Sequence, residues 1–173
     1  MSMAIGTGST GTRGLYKISV TKALAAASAY DANDVISEHA STGTDWDFTG
    51  MARGNGGSGY IVGASVRSES EGVVPQLTLY LFNTAPTTGA LNDHAANTSP
   101  DPADTGFIGK IDFQALESVG TTDSYNEAVS TCLPKGFICA STSTTLYGIL
   151  VTRTAFTQSA TDDMTVTLVV EQL

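Results

Sequence analysis

The residues able to do chemistry are few and mostly scattered. His39 and His94 are the two histidines, and His94 directly follows Asp93, a neighbour pair with the makings of an acid–base couple. Such work needs partners converging on one reacting atom. None can be placed beside the pair from sequence, so His94 reads as a solvated loop histidine and His39 as a surface residue ending a strand. Asp101, Asp104, Asp162 and Asp163 offer the oxygen ligands that calcium prefers. No EF-hand or repeat spacing organises them, and Asp162-Asp163 before a strand is more simply a turn. Cys132 and Cys139 flank the Leu133-Pro134-Lys135-Gly136 turn; a hairpin there would let them face each other, which makes a disulfide geometrically possible. Free, partly buried thiols are the simpler expectation, and the spacing is not that of a zinc site. The runs Gly6-Thr7-Gly8 and Gly54-Asn55-Gly56-Gly57 lack the strand, helix and Gly-Lys-Ser/Thr context of a phosphate cradle. Trp46 and Phe48, with Tyr30 and Tyr80, have the flat apolar faces on which sugars stack, although packing within the fold is the commoner use of such rings. No nucleophile–base set, paired carboxylates or metal cluster emerges. The expectation is a protein that packs and binds, with no catalytic residue, metal or cofactor.

Composition narrows the partners. The chain has 173 residues, a formal net charge of −9 and only 14% charged residues, below the roughly 25% of an average globular domain. Its eight basic residues stand singly, and no basic patch is available to neutralise a run of phosphates, which argues against direct nucleic-acid binding. The longest nearly apolar stretch, Ala23 to Tyr30, is far shorter than the roughly 20 residues that span a bilayer. No membrane partner is expected, and Met1 to Gly14 lacks the charged start and apolar centre of a secretory signal. Synthesis and retention in a cytoplasm-like compartment follow as the expectation.

The elements that must position any site are strands. Residues 1–14 are nearly devoid of large apolar side chains and read as a flexible N-terminal arm; 15–173 read as one domain. Tyr16, Ile18 and Val20 alternate with Lys17, Ser19 and Thr21. Tyr60, Val62, Ala64 and Val66 alternate with Ile61, Gly63, Ser65 and Arg67. The same period of two marks Leu77, Leu79 and Leu81, then Phe107, Gly109, Ile111 and Phe113, then Met164, Val166, Leu168 and Val170, and each set predicts one buried face. Phe137 to Ala140 and Leu146 to Val151 are apolar on both faces, as central strands are. A long connection, Thr84 to Thr105, exceeds a hairpin and is of functional length. The prediction is an all-β protein, an antiparallel two-sheet sandwich of about eight strands.

The order of several segments resembles a known family. Tyr30-Asp31-Ala32-Asn33-Asp34-Val35-Ile36 comes first, then a Gly-rich turn into Gly59-Tyr60-Ile61-Val62-Gly63-Ala64. Leu77 to Thr87 follows, ending in the pattern Leu-Phe-x-x-x-Pro-Thr, and after it Ile108 to Phe113 and the Leu-Tyr-Gly strand beginning at Leu146. The set, over about residues 30–173, resembles accessory structural proteins of tailed bacteriophages. That resemblance implies a jelly-roll-like fold and a virion component, a capsid decoration protein or head fibre, made in the host cytoplasm and carried on the capsid surface. It implies the major capsid protein as partner and a homo-oligomer, a trimer first. Arg13, Tyr16 and Lys17, where the arm meets the first strand, are the capsid-interface candidates. The rival is a host-glycan-binding module of a head or tail fibre, using Trp46 and Phe48.

Overall fold

A computed structural model describes residues 14–25, 28–86, 91–158 and 162–173; the arm and Arg13 lie outside the described residues. Among those described, thirteen strands form: β1 Leu15–Ala23, β2 Ala29–Tyr30, β3 Val35–Ile36, β4 Trp46–Phe48, β5 Ser58–Ser68, β6 Leu77–Phe82, β7 Phe107–Asp112, β8 Glu117–Val119, β9 Asp123–Glu127, β10 Lys135–Ile138, β11 Leu146–Thr152, β12 Phe156–Thr157 and β13 Asp163–Gln172. One sheet runs β1-β13-β5-β9-β8 with β10 also on β5; the second runs β3-β11-β6-β7 with β4 also on β11; β2 and β12 form a small ribbon. All the pairings are antiparallel.

The segment count exceeds the expected eight because two sheet positions are split. β9 and β10 pair with different stretches of β5, and β3 and β4 with different stretches of β11. Taking each split position as one leaves four principal positions per sheet, with β8 added at one edge. Their order in the chain is the double Greek-key winding of a jelly roll.

Between the sheets lies the main core. Met164, Val166, Leu168 and Val170 of β13 meet Leu77, Leu79 and Leu81 of β6 and Leu146 and Leu150 of β11, all fully or almost fully buried. The two-residue period of β13 and of the Leu77–Leu81 triplet holds throughout. Two other alternations are interrupted by bulges. Opposite β13 the register of β5 shifts between Val169 and Val170, so Val62 has no partner of its own. An extra residue reverses the parity of a strand; Ile61, Ala64, Val66 and Ser68 therefore face the core, and Tyr60 and Val62 face solvent, contrary to the expected Tyr60-Val62-Ala64-Val66 face. In β7 the shift falls at Ile108. There Gly109 adopts φ 145°, a conformation side chains rarely tolerate, and Phe107 turns to the side of Phe82 while Ile111 stays in the core.

β11 is central as predicted, held between β6 and the pair β3 and β4. β10 is not: its single partner strand is β5, and Ile138 is 62% exposed. Its apolar outer residue is surface, not a second buried face. The outer side of the second sheet is covered by a separate cluster of Val35, Phe82, Ile149 and Val151 with Tyr80, Leu91 and Tyr147 packed on it. Leu91 comes from the long connection. Further along, that connection runs beside β3, with His94 N–H donating to the Val35 carbonyl at 3.0 Å and Val35 N–H donating to Ala95 at 2.8 Å, and with Asp34 bridged to Ala96.

Candidate functional site

Among the described residues nothing covers the outer side of the six-stranded sheet, which divides into two zones. Directly opposed residues in antiparallel strands point to the same face, so Leu15, Glu171 and Tyr60 form one outward row across β1, β13 and β5. Gly136 continues it on β10, and Ile138, opposite Ser58, lies on the same face two positions along. Leu15 is 69% exposed and Tyr60 43%, with Val62 and Leu173 also open to solvent. A single exposed apolar residue is ordinary, but a contiguous group on a rigid sheet marks an interaction surface. Two open depressions adjoin it. One of about 540 Å³ is lined by Val62, Gly63, Val169, Tyr125, Leu133 and Pro134 among others. The other, about 480 Å³, is lined by Tyr60, Asn83, Ile108, Ile138 and Leu173 among others.

At the opposite end of the same face the character reverses. Arg67, Tyr125 and Glu117 share a row across β5, β9 and β8. Arg67 pairs with Asp123 at 3.4 Å and Glu69 at 3.8 Å, and Tyr125 donates to Glu127 at 3.0 Å. Exposed pairs of this kind contribute little stability; they keep that end wetted.

Of the expected interface residues, Tyr16 and Lys17 are both exposed on β1, but they point to opposite faces. Lys17 stands opposite Val169 on the outer side, in line with Leu15. Tyr16 stands opposite the buried Val170 and leaves the sandwich at its edge. A flat partner therefore meets Lys17 and Leu15 together, not Lys17 and Tyr16. Leu15, Tyr60, Val62, Ile138 and Leu173 carry the zone; the bulge at Val62 and the edge position of β10 had hidden them from a pattern of period two.

The glycan candidates Trp46 and Phe48 are corrected. Trp46 is 1% exposed and Phe48 fully buried, and the indole N–H of Trp46 donates to the Ile36 carbonyl at 3.1 Å. β4 points both rings into the core, so neither offers a face to a sugar. Trp46 serves instead to lodge a buried cation. Lys22 Nζ lies 5.5 Å from its ring centroid, donates to the Thr44 carbonyl at 2.6 Å and hydroxyl at 2.9 Å, and pairs with Glu38. Burial alone would raise the Glu38 carboxyl, but hydrogen bonds from Lys22, Thr44 and Ser37 outweigh it and bring the group down to about 2.

Both cysteines are free thiols, Cys139 buried and Cys132 half-buried, and burial pushes the Cys139 thiol up. Asp104 closes a local turn, accepting from Asp101 N–H at 3.0 Å and Ser99 hydroxyl at 3.1 Å. Among the described residues no three His, Cys, Asp or Glu side chains converge as a metal site requires.

His94 is where the structure departs furthest from the sequence reading. It sits at φ 61° and is stacked on Tyr30, with ring centroids 3.7 Å apart, and Tyr30 stacks in turn on Phe156 at 4.6 Å. Its Nδ1 lies 2.7 Å from Asp93 Oδ2 and its Nε2 2.5 Å from Ser28 Oγ. The Asp93 side chain is fully buried; its Oδ1 also accepts from Tyr30 O–H at 2.9 Å and from Ser37 N–H at 2.8 Å. Burial, then the Asp93 charge, holds the Tyr30 phenol well above its ordinary value, so it acts as a fixed donor. Ser28 and Tyr30 lie more than sixty positions before His94, a separation that no local spacing reveals.

Comparison with known proteins finds no match: no family model, no curated protein and no solved structure aligns with the chain.

Proposed function

We propose that this chain is a virion structural protein that decorates a bacteriophage head, docking on the major capsid shell through the apolar zone of its six-stranded sheet. The observation that carries the docking reading is the outward group Tyr60, Val62, Ile138 and Leu173, with Leu15 across Glu171 in the same row, mounted on paired strands. Burying such side chains against a partner is favourable by about 25 cal/mol per Å² of apolar surface. The identity of the partner rests on the phage-like order of segments in the sequence. A head lattice presents many symmetric copies, which suits a homo-oligomer, and a trimer is the state the resemblance favours.

Purified empty heads mixed with the protein, followed by sedimentation and electron cryomicroscopy, test the proposal. Density on the capsid surface with the β5–β10 end against the shell is the expected result, and Ile138→Asp abolishes it. Heads that remain bare, together with absence of the protein from intact particles by mass spectrometry, refute it.

A further inference from the structure

From the Ser28–His94–Asp93 arrangement we infer that Ser28 is an activated nucleophile, able to take the acyl group of a short-chain ester. The three side chains stand in the relation that a serine nucleophile, its general base and the orienting carboxylate require. Ser28 Oγ is 2.5 Å from His94 Nε2, and the other ring nitrogen is 2.7 Å from Asp93 Oδ2. The carboxylate is buried and held by two further donors, the Tyr30 hydroxyl and the Ser37 amide, so it cannot swing away from the ring. A carboxylate on Nδ1 fixes the tautomer in which Nδ1 carries the hydrogen and Nε2 accepts. The stack on Tyr30 fixes the plane of the ring. Each feature of an oriented base is therefore present, and none of it takes part in the capsid-facing zone.

In the step assigned to this site, Ser28 Oγ attacks the ester carbonyl carbon and its proton passes to His94 Nε2. The tetrahedral adduct collapses by breaking the carbonyl–alkoxy bond, and the alkoxy oxygen leaves with that proton as the free alcohol. Water then repeats the sequence on acyl-Ser28, releasing the carboxylic acid. Ser28 is half-buried and the His94 side chain 23% exposed, so neither residue is sealed in the core. That position suits acetyl and similarly short acyl groups on a small or polymeric alcohol.

The full-length protein is treated with a fluorophosphonate probe, which phosphonylates activated serines, and the labelled residue is located by tandem mass spectrometry. Labelling at Ser28 is expected, absent in Ser28→Ala, slowed about a hundredfold or more in His94→Gln as loss of a general base predicts, and absent when the wild-type chain is unfolded in urea. p-Nitrophenyl acetate should leave an acetyl group on the same serine. A folded wild-type protein that stays unlabelled, or labels equally fast when unfolded, overturns the assignment without touching the capsid proposal, since heads are not part of the assay.

Discussion

The two sheets of this sandwich treat their outer sides in opposite ways. The sheet around β11 is apolar on both faces, and its outer cluster, Val35, Phe82, Ile149 and Val151, is sealed by Leu91 and two tyrosines. The sheet around β13 has no cover on its outer side among the described residues. There Thr165, Thr167 and Val169 of β13 face out, half-buried, with Ser19 and Thr21 of β1 hydrogen-bonded across to Thr167 at 2.9 Å and Thr165 at 2.7 Å. Hydroxyl ladders keep the middle of the sheet wettable and ion pairs do so at the Arg67 end; the β5–β10 end is apolar. Where the chain supplies its own cover, outward apolar residues are core. Where it supplies none, they are available to another molecule.

Substitutions should separate the two sides by stability. Phe82→Ala, on the sealed side, should cost about 3–5 kcal/mol as a large buried ring is lost, seen as a fall in the denaturation midpoint. Gly43→Val should cost about 1–3 kcal/mol through overpacking, because a Cβ there would stand 2.1 Å from the Leu91 carbonyl oxygen and lift the cover. Asp93→Ala should cost a similar 1–3 kcal/mol, since the Tyr30 hydroxyl and Ser37 amide would be left buried without an acceptor. Acid should act through Glu38. Its carboxyl is lowered from 4.5 to about 2 in the fold, so its contribution is fully present above the unfolded value and is lost as pH falls from about 4.5 towards 2; Glu38→Gln should flatten that part of the stability–pH curve. Ile138→Ser, on the uncovered side, should change stability by no more than about 0.5 kcal/mol while weakening any docking. A large loss there would mean the exposed zone is part of the fold itself.

Much of this architecture is legible in the residues. The alternation in β13 and β6 gives burial correctly because those strands carry no extra residue themselves; the bulges lie in their partners β5 and β7. The two-sided apolarity of β11 correctly marks it as central. The errors in β5 and β7 share a cause: period two assumes one residue opposite one residue. A single extra residue at Val62 and another at Ile108 reverse that correspondence. In Lys22 the same period continues to the core side, but a charged residue gives no hydrophobic signal, so the buried cation and its ring partner are invisible. For the surface zone, the apolar residues can be counted but their shared row depends on strand order. The Ser28–His94–Asp93 set is further still from reach, because it needs the long connection laid against β3, and backbone pairing at Val35, Asp34, Asn33 and His39 brings that about.

The pairing of β13 between β1 and β5 has a consequence for synthesis. The strand that joins β1 to β5 is Asp163–Gln172, far along the chain from β1, so β1 leaves the ribosome long before its neighbour is made. The order of β11 and β6 lets the second sheet assemble earlier. Contacts of such sequence separation form slowly, and an unpaired β1 with Leu15 exposed is a template for the wrong neighbour. A purified chain cut just before Asp163 should therefore have one sheet organised and the other open, sensitive to protease along β1, and Asp163–Gln172 added as a peptide should close it.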